Sequence, residues 1–140
     1  MTVTIPLTIL DLHDDGFHPL LDIQLFGRAY TVVLDTGASK TAFDKTLLQA
    51  HDDLLIMASD KLSTGLGTND MESFTAIISN MQIGGLLIPR FEVAVLDLSA
   101  INIAYRQLNH PEILGVLGGD ILMKYKAVID YGKRVIKFRT

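Results

Sequence analysis

The feature that most constrains the fold is the regular alternation of short apolar stretches with turn-forming residues. Runs rich in Val, Ile, Leu and Phe recur at intervals of roughly ten residues, which is typical of all-β sandwiches and barrels. Three of the intervening turns are Gly27-Arg28, Gly84-Gly85 and Asp130-Tyr131-Gly132-Lys133. Such turns join neighbouring antiparallel strands, so the sequence predicts three β-hairpins. Their strands are expected at 20–26 and 30–34, 80–83 and 86–88, and 127–129 and 134–138.

Helical periodicity is scarce, and the sequence predicts only short helices. They are expected at 44–50, 99–108 and 120–125. In the longest of them, four apolar residues fall at helical spacing: Ile101, Ala104, Tyr105 and Leu108. Ser99 is the expected N-cap of this helix, because a serine hydroxyl can accept a hydrogen bond from a free amide of the first turn.

The composition limits the class of protein. A chain of 140 residues is expected to form one domain, spanning 1–140. With 49% hydrophobic and 20% charged residues it can build a core, which excludes an intrinsically disordered protein. The net charge of -4 argues against nucleic acid as a partner. The absence of cysteine excludes disulfides, thiolate metal sites and cysteine nucleophiles.

The apolar start, Val3–Leu10, is expected to be a strand rather than a secretory signal. No basic residue precedes it, since the first one in the chain is Arg28, and a signal peptide needs a positive n-region. No apolar run approaches the roughly 20 residues that a bilayer-spanning helix requires. We therefore expect a cytoplasmic protein without a membrane partner.

One acidic residue directly follows an apolar strand. In Leu34-Asp35-Thr36-Gly37-Ala38-Ser39, the strand end delivers a carboxylate into a turn of small residues. An acid at the end of a buried strand is costly unless it is paired or hydrogen-bonded, so its position indicates a function. A weak internal echo occurs at 114–120, where another apolar strand runs into a glycine turn.

The Asp35 segment resembles the active-site loop of the retropepsin-like aspartic proteases. The signature of that loop is two apolar residues followed by Asp, then Thr or Ser, then Gly, and then Ala or Ser. The segment Val116–Leu122 resembles the family's late apolar-apolar-Gly strand and the short helix after it, and the resemblance covers about residues 20–138. It implies an all-β fold with one to three short helices, built as a closed antiparallel β-barrel of the acid protease type. It also implies an aspartic endopeptidase of the bacterial single-domain type.

The chemistry of this class needs a second carboxylate. Two carboxyls a few ångströms apart share one proton, so that one activates a water while the other protonates the peptide carbonyl. The chain contains one Asp-Thr-Gly loop, so the resemblance implies a symmetric homodimer in which Asp35 meets its own copy. It assigns Thr36 to a hydrogen bond that braces the two loops, and Gly37 and Ala38 to the floor under a peptide substrate. No cofactor or metal is expected.

A glycine-flanked tip after Asp35 resembles the family's flap. Gly65 and Gly67 would give the backbone freedom to close, and Leu66 between them would be the apolar tip that contacts substrate or the partner's flap. The flap would exclude water and grip an extended peptide with apolar side chains. The alternative is an ordinary surface hairpin.

Two departures from the retroviral pattern leave alternatives open. Gly119 occupies the place of an Arg that helps to hold retroviral dimers together, and the segment 97–112 is longer than its retroviral equivalent. One alternative is therefore a non-catalytic dimerisation or peptide-binding module with the same fold, and another is an unrelated monomeric β-barrel.

The repeated tripeptides His13-Asp14-Asp15 and His51-Asp52-Asp53 are interpreted as solvated loops rather than metal ligands, since each lacks a third cluster at ligand spacing.

Overall fold

The computed structural model describes residues 1–50, 56–58, 63–65, 68–71 and 74–140. The strands are β1 (Thr2–Pro6), β2 (Thr8–Asp11), β3 (Phe17–Leu25), β4 (Arg28–Leu34), β5 (Ala42–Asp44), β6 (Ile56–Ala58), β7 (Ser63–Gly65), β8 (Thr68–Met71), β9 (Phe74–Ile83), β10 (Leu86–Leu96), β11 (Gly115–Leu117), β12 (Val128–Asp130) and β13 (Val135–Arg139). The helices are α1 (Lys45–Gln49), α2 (Ser99–Gln107) and α3 (Gly119–Lys124), with a 3₁₀ turn at His13–Asp15.

The three predicted hairpins are present as β3–β4, β9–β10 and β12–β13. In the first hairpin the two central turn residues are Phe26 and Gly27 rather than the predicted Gly27-Arg28. Both have positive φ angles, 54° and 73°, because the tight turn that matches the twist of paired strands needs such a backbone at both positions. Arg28 therefore already belongs to β4 and pairs with Leu25.

Six of the described strands close into a barrel in the order β3-β4-β11-β5-β10-β9, and a pairing of Gln24 in β3 with Gln82 in β9 completes the ring. The predicted all-β class and closed barrel are thus confirmed. Four of the six pairings are antiparallel, whereas β4–β11 and β5–β10 are parallel. These parallel pairs join segments far apart in sequence. A separate three-stranded sheet, β1-β13-β12, brings the two ends of the chain together.

The barrel interior is filled by branched aliphatic side chains that alternate inward along the strands. Its fully buried members include Leu21, Ile23, Leu25, Val32, Phe43, Ile78, Met81, Ile83, Ile88, Val93 and Val95. A second, smaller cluster lies under α2 and consists of Leu20, Val33, Tyr105 and Ile113. This second cluster fixes α2 to the outer side of β3 and β4, next to the strand end that carries Asp35.

The helices occur where they were predicted, with a correction at α2. Ser99 is not the N-cap: the cap position is Leu98, and the Ser99 amide donates to Asp97 Oδ1 at 2.9 Å. The predicted apolar stripe of α2 is not buried as a stripe, because the helix docks through Asn102 and Tyr105 and leaves Ile101 partly exposed. In the part of the chain that the structure describes, no helix has the length and apolar character needed to cross a membrane.

Candidate active site

The Asp35 loop begins where two parallel strands end side by side. Leu34 at the end of β4 pairs with Leu117 at the end of β11, and the Asp35 amide donates to the Leu117 carbonyl at 3.0 Å. The two segments of the sequence echo are therefore neighbours in the barrel. Their parallel pairing carries the chain after β4 and the chain after β11 to the same edge, so both glycine turns contribute to one site.

The Asp35 carboxylate is half-buried and is held by its own loop. Its Oδ1 accepts a hydrogen bond from the Gly37 amide at 3.0 Å, and the Ala38 amide donates to the Asp35 carbonyl at 3.3 Å. Thr36 and Gly37 are exposed. A carboxylate whose position is fixed by a backbone amide, in a loop open to solvent, is available to a water, a substrate or a second carboxyl.

The Gly118-Gly119 pair lies directly against this loop. The Gly119 amide donates to the Ala38 carbonyl at 2.8 Å. A Cβ on Gly118 would lie 2.7 Å from the Lys40 carbonyl carbon and 2.9 Å from the Ala38 oxygen, closer than real Cβ contacts allow. Glycine at 118 is therefore required for the two turns to approach each other.

Two residues that the sequence analysis did not single out lock the loop in place. Thr41 is fully buried, and its hydroxyl donates to Asp120 Oδ1 at 2.7 Å while accepting a hydrogen bond from the Gly118 amide at 3.0 Å. The same Asp120 oxygen accepts from the Thr41 amide at 3.0 Å and from the Ile121 amide at 2.8 Å. One carboxylate oxygen thus joins the end of the Asp35 loop to the start of α3.

A cavity of about 320 Å³ opens beside Asp35. Its lining comes from the start of β3, the end of β4 and α2, and includes Phe17, His18, Val33, Asp35, Ile101 and Tyr105. The other cavity described, of about 500 Å³, lies between β1, β3 and the β9–β10 turn and shares no lining residue with the first. We place the candidate site in the smaller cavity because it contains the loop carboxylate.

The wall of this cavity on the α2 side carries a polar pair made of the buried Tyr105 and the half-buried His18. His18 Nδ1 and the Tyr105 hydroxyl are 2.6 Å apart, and their rings are tilted against each other with centroids 6.0 Å apart. Burial raises the pKa of Tyr105 to about 12, so its hydroxyl keeps its proton at neutral pH.

Comparison with known families identifies the group to which this site belongs. A family model described as aspartyl protease matches residues 21–121. The chain belongs to the aspartyl protease family. The match includes the Asp35 loop, the cavity wall formed by α2 and the Gly118-Gly119 pair. The predicted family resemblance is therefore confirmed, and the hypothesis of a β-barrel unrelated to peptidases is wrong.

A solved structure agrees with the fold of this aspartyl protease family member. A retropepsin-like aspartic protease from Rickettsia conorii matches with a TM-score of 0.56 at 19% identity, over 99% of this chain and 90% of that one. A retroviral protease-like domain of Ddi1 from Leishmania major has a TM-score of 0.47 at 14% identity, over 92% and 83%. No curated protein matches the sequence. The first likeness shows that the barrel is of the retropepsin-like type.

The structure brings together only some of the residues predicted for the active site. Asp35, Thr36, Gly37 and Ala38 form one loop. Of the predicted flap, Gly65 ends β7 and pairs with Thr68 of β8 in an antiparallel pair. Leu66 and Gly67 lie outside the described residues, so the flap stays a prediction for this family member.

The alternative metal ligands do not form a site in the described part of the molecule. The tripeptide His13–Asp15 forms an exposed 3₁₀ turn, and Asp11 Oδ1 accepts a hydrogen bond from the His13 amide. Residues 51–53 lie outside the described residues. Among residues 1–50 and the later described ranges, no three His, Asp or Glu side chains come close enough to hold a metal ion.

Proposed function

We propose that the chain is an aspartic endopeptidase, active as a symmetric homodimer with one Asp35 from each chain. The observation that carries the proposal is the Asp35 loop itself: a half-buried carboxylate fixed by the Gly37 amide, in an exposed turn of a retropepsin-like barrel. A single loop supplies one carboxylate. Two-fold pairing of the exposed turns supplies the second.

The two carboxyls would act as a base and an acid that share one proton. The ionised carboxylate takes a proton from the water, whose oxygen attacks the peptide carbonyl carbon. The protonated carboxyl gives its proton to the carbonyl oxygen. When the tetrahedral intermediate collapses, the C–N bond breaks and the amide nitrogen leaves as an amine after accepting a proton from the pair. A hydroxyl of the intermediate gives its proton back to the pair as the new carboxyl group forms. The dyad returns to its starting state, and no metal or cofactor takes part.

The neighbouring residues would have supporting roles in this dimer. The exposed Thr36 hydroxyl would brace the two loops across the axis, and Gly37 and Ala38 would form the floor under the substrate backbone. A flap at Gly65, Leu66 and Gly67 would close over an extended peptide and hold its main chain in the manner of an added strand. The substrate class would be extended segments with apolar side chains.

The first test is cleavage of a diverse peptide mixture from acidic to neutral pH, with products identified by mass spectrometry. We expect cleavage by the natural chain and none by Asp35→Asn, because the amide cannot take a proton from water. Asp14→Asn, which removes a carboxylate from the exposed 3₁₀ turn, is the matched control and should retain full activity. Retained cleavage by pure Asp35→Asn protein would refute the assignment.

One observation favours a second candidate, a non-catalytic dimerisation or peptide-binding module. Gly119, in the place of the retroviral Arg, has no side chain for a contact between chains, and the adjacent Asp120 is already bonded to Thr41. Sedimentation equilibrium combined with the cleavage assay separates the two candidates. Dimers without cleavage favour the module, whereas dimers that cleave only with Asp35 intact favour the peptidase.

A further inference from the structure

The positive charge of the chain is concentrated near its C-terminal end. Residues 124–140 contain six of the 12 Lys and Arg residues but only one of the 16 Asp and Glu residues. This segment therefore has a net charge of +5, whereas the remaining six basic and 15 acidic residues give the rest of the chain -9. The six cations, called the basic surface below, are Lys124, Lys126, Lys133, Arg134, Lys137 and Arg139.

Two of these cations lie on the outer face of the three-stranded sheet β1-β13-β12. Ile136 and Phe138 of β13 are buried in the main core, so Lys137 and Arg139 occupy the opposite, exposed face of the strand. Lysine on an edge strand commonly serves to prevent aggregation. That role does not account for Lys137 and Arg139, because β13 is the central strand of its sheet.

Three further cations adjoin this outer face. The Arg139 amide donates to the Tyr125 carbonyl at 2.7 Å, so the backbone of Lys126 lies next to that of Arg139. Lys133 and Arg134 belong to the exposed turn between β12 and β13. The basic residues are thus gathered at one end of the molecule by the pairing of the last two strands.

Nothing in the described part of the chain neutralises the basic surface. The two ion pairs among the described residues both lie elsewhere. The one carboxylate of the segment, Asp130, accepts a hydrogen bond from the Lys133 backbone amide at 2.9 Å. A cluster of exposed cations with no acidic neighbour attracts a negatively charged partner.

The basic surface begins one short helix away from the Asp35 loop. Helix α3 starts where the Gly119 amide donates to the Ala38 carbonyl, and it ends at Lys124. Six helical residues span roughly 9 Å. An extended peptide covers that distance in about three residues. A peptide held at Asp35 can therefore reach Lys124 with side chains a few positions from the cleaved bond.

We propose that the basic surface binds an acidic segment of the peptide substrate, a few residues from the cleaved bond. The proposal rests on the proposed peptidase function and names a substrate class: apolar segments flanked by a run of Asp or Glu. The rest of the chain, with its net charge of -9, repels such a run and leaves the basic surface as its binding place. A second copy docked here by two-fold symmetry would bring like charges together, so the occupant is not another copy of this chain.

The first test uses two peptides that share an apolar cleavage segment and differ in the flanking run, which is Glu in one and Gln in the other. We expect kcat/KM at low salt to be about tenfold higher for the Glu peptide, because several individually weak ion pairs act together. High salt should abolish the difference by screening the charges. Equal kcat/KM values for the two peptides at low salt would overturn the proposal.

Charge reversal locates the effect on the sheet. The Lys137→Glu, Arg139→Glu double variant should lose the preference for Glu and favour a peptide with a run of Lys, which a merely unfolded or weakened protein would not do. Its matched control is the Arg28→Glu, Arg90→Glu double variant, which reverses two exposed cations outside the basic surface and should keep the preference for Glu. The same change in preference from both double variants would refute the assignment to the basic surface.

A binding measurement separates failure of this proposal from failure of the proposed function. Fluorescence anisotropy follows the labelled Glu peptide as Asp35→Asn protein is added, with duplex DNA or phosphatidylserine-containing vesicles as competitors. We expect salt-sensitive binding that is lost when Lys137→Glu and Arg139→Glu are added. Such binding without cleavage by the natural chain would refute the peptidase and retain the acidic-peptide surface. Cleavage without this binding would refute the surface alone, and DNA or vesicles that bind more tightly than the peptide would overturn the choice of a peptide partner.

Discussion

At the scale of single residues, Asp120 joins the end of the loop that carries Asp35 to the start of α3. Its Oδ1 accepts three hydrogen bonds, from the Thr41 hydroxyl, the Thr41 amide and the Ile121 amide. Thr41 is fully buried, so no water can replace a lost partner for its hydroxyl without a rearrangement. A buried polar group left without its partner costs about 1–3 kcal/mol.

We therefore expect Asp120→Ala to lower the free energy of unfolding by about 1–3 kcal/mol and to reduce peptide cleavage, because the Asp35 loop loses its support. Asp120→Asn keeps the Oδ1 acceptor and should recover most of both losses. Urea unfolding and the cleavage assay measure the two effects. If the Ala and Asn variants are equally stable, the carboxylate oxygen does not hold the loop.

At the scale of elements, the site depends on close contact between the Asp35 loop and the start of α3. The Gly119 amide donates to the Ala38 carbonyl, and the backbone of Lys40 lies so near Gly118 that a Cβ there would overlap it. Two adjacent glycines differ sharply here. A Cβ at 118 would overlap the loop, whereas a Cβ at 119 would lie 3.5 Å or more from its nearest neighbours, an ordinary van der Waals contact.

Gly118→Ala should accordingly destabilise the protein by about 1–3 kcal/mol, the usual cost of overpacking, and should displace the Asp35 loop. Gly119→Ala is its matched control. It adds a methyl group that makes only ordinary van der Waals contacts, at the first position of a helix, and should leave stability unchanged or raise it by about 0.4–1 kcal/mol. The measurement is the free energy of unfolding of each variant. Equal values would show that the Asp35 loop can move away from a methyl group at position 118 at little cost.

At the scale of the whole molecule, the barrel brings the Asp35 loop to one edge and leaves the outer residues of that loop, Thr36 and Gly37, exposed. The terminal strands β1 and β13 pair within the chain, along Thr2↔Arg139 to Pro6↔Val135. Under the proposed mechanism, each folded chain would supply half of a two-carboxyl site. Activity should then depend on the association of two chains.

A mixing experiment tests this dependence. Adding excess Asp35→Asn protein to the natural chain should reduce cleavage, because each mixed dimer that forms contains only one Asp35 carboxyl. Dilution of the natural chain alone should also lower the activity per chain. The control is an equal excess of the Asp35→Asn, Thr36→Arg double variant, whose charged side chain would obstruct pairing and spare the natural enzyme. Cleavage that is independent of both dilution and mixing would exclude the dimeric site.

The sequence by itself determined the features that depend on neighbours along the chain. Glycine turns between β-branched runs specified the three hairpins, and the Asp-Thr-Gly turn after Val32-Val33-Leu34 located the candidate loop, because turn geometry and strand periodicity are local properties. Tertiary structure alone decided the parallel β4–β11 pairing, the bond between Thr41 and Asp120, and the docking of α2 through Asn102. The strand pairing and the Thr41–Asp120 bond each join residues more than 75 positions apart. The docking of α2 uses a buried amide where an apolar stripe was expected. Such contacts are selected by the packing of the complete barrel, which no local pattern encodes.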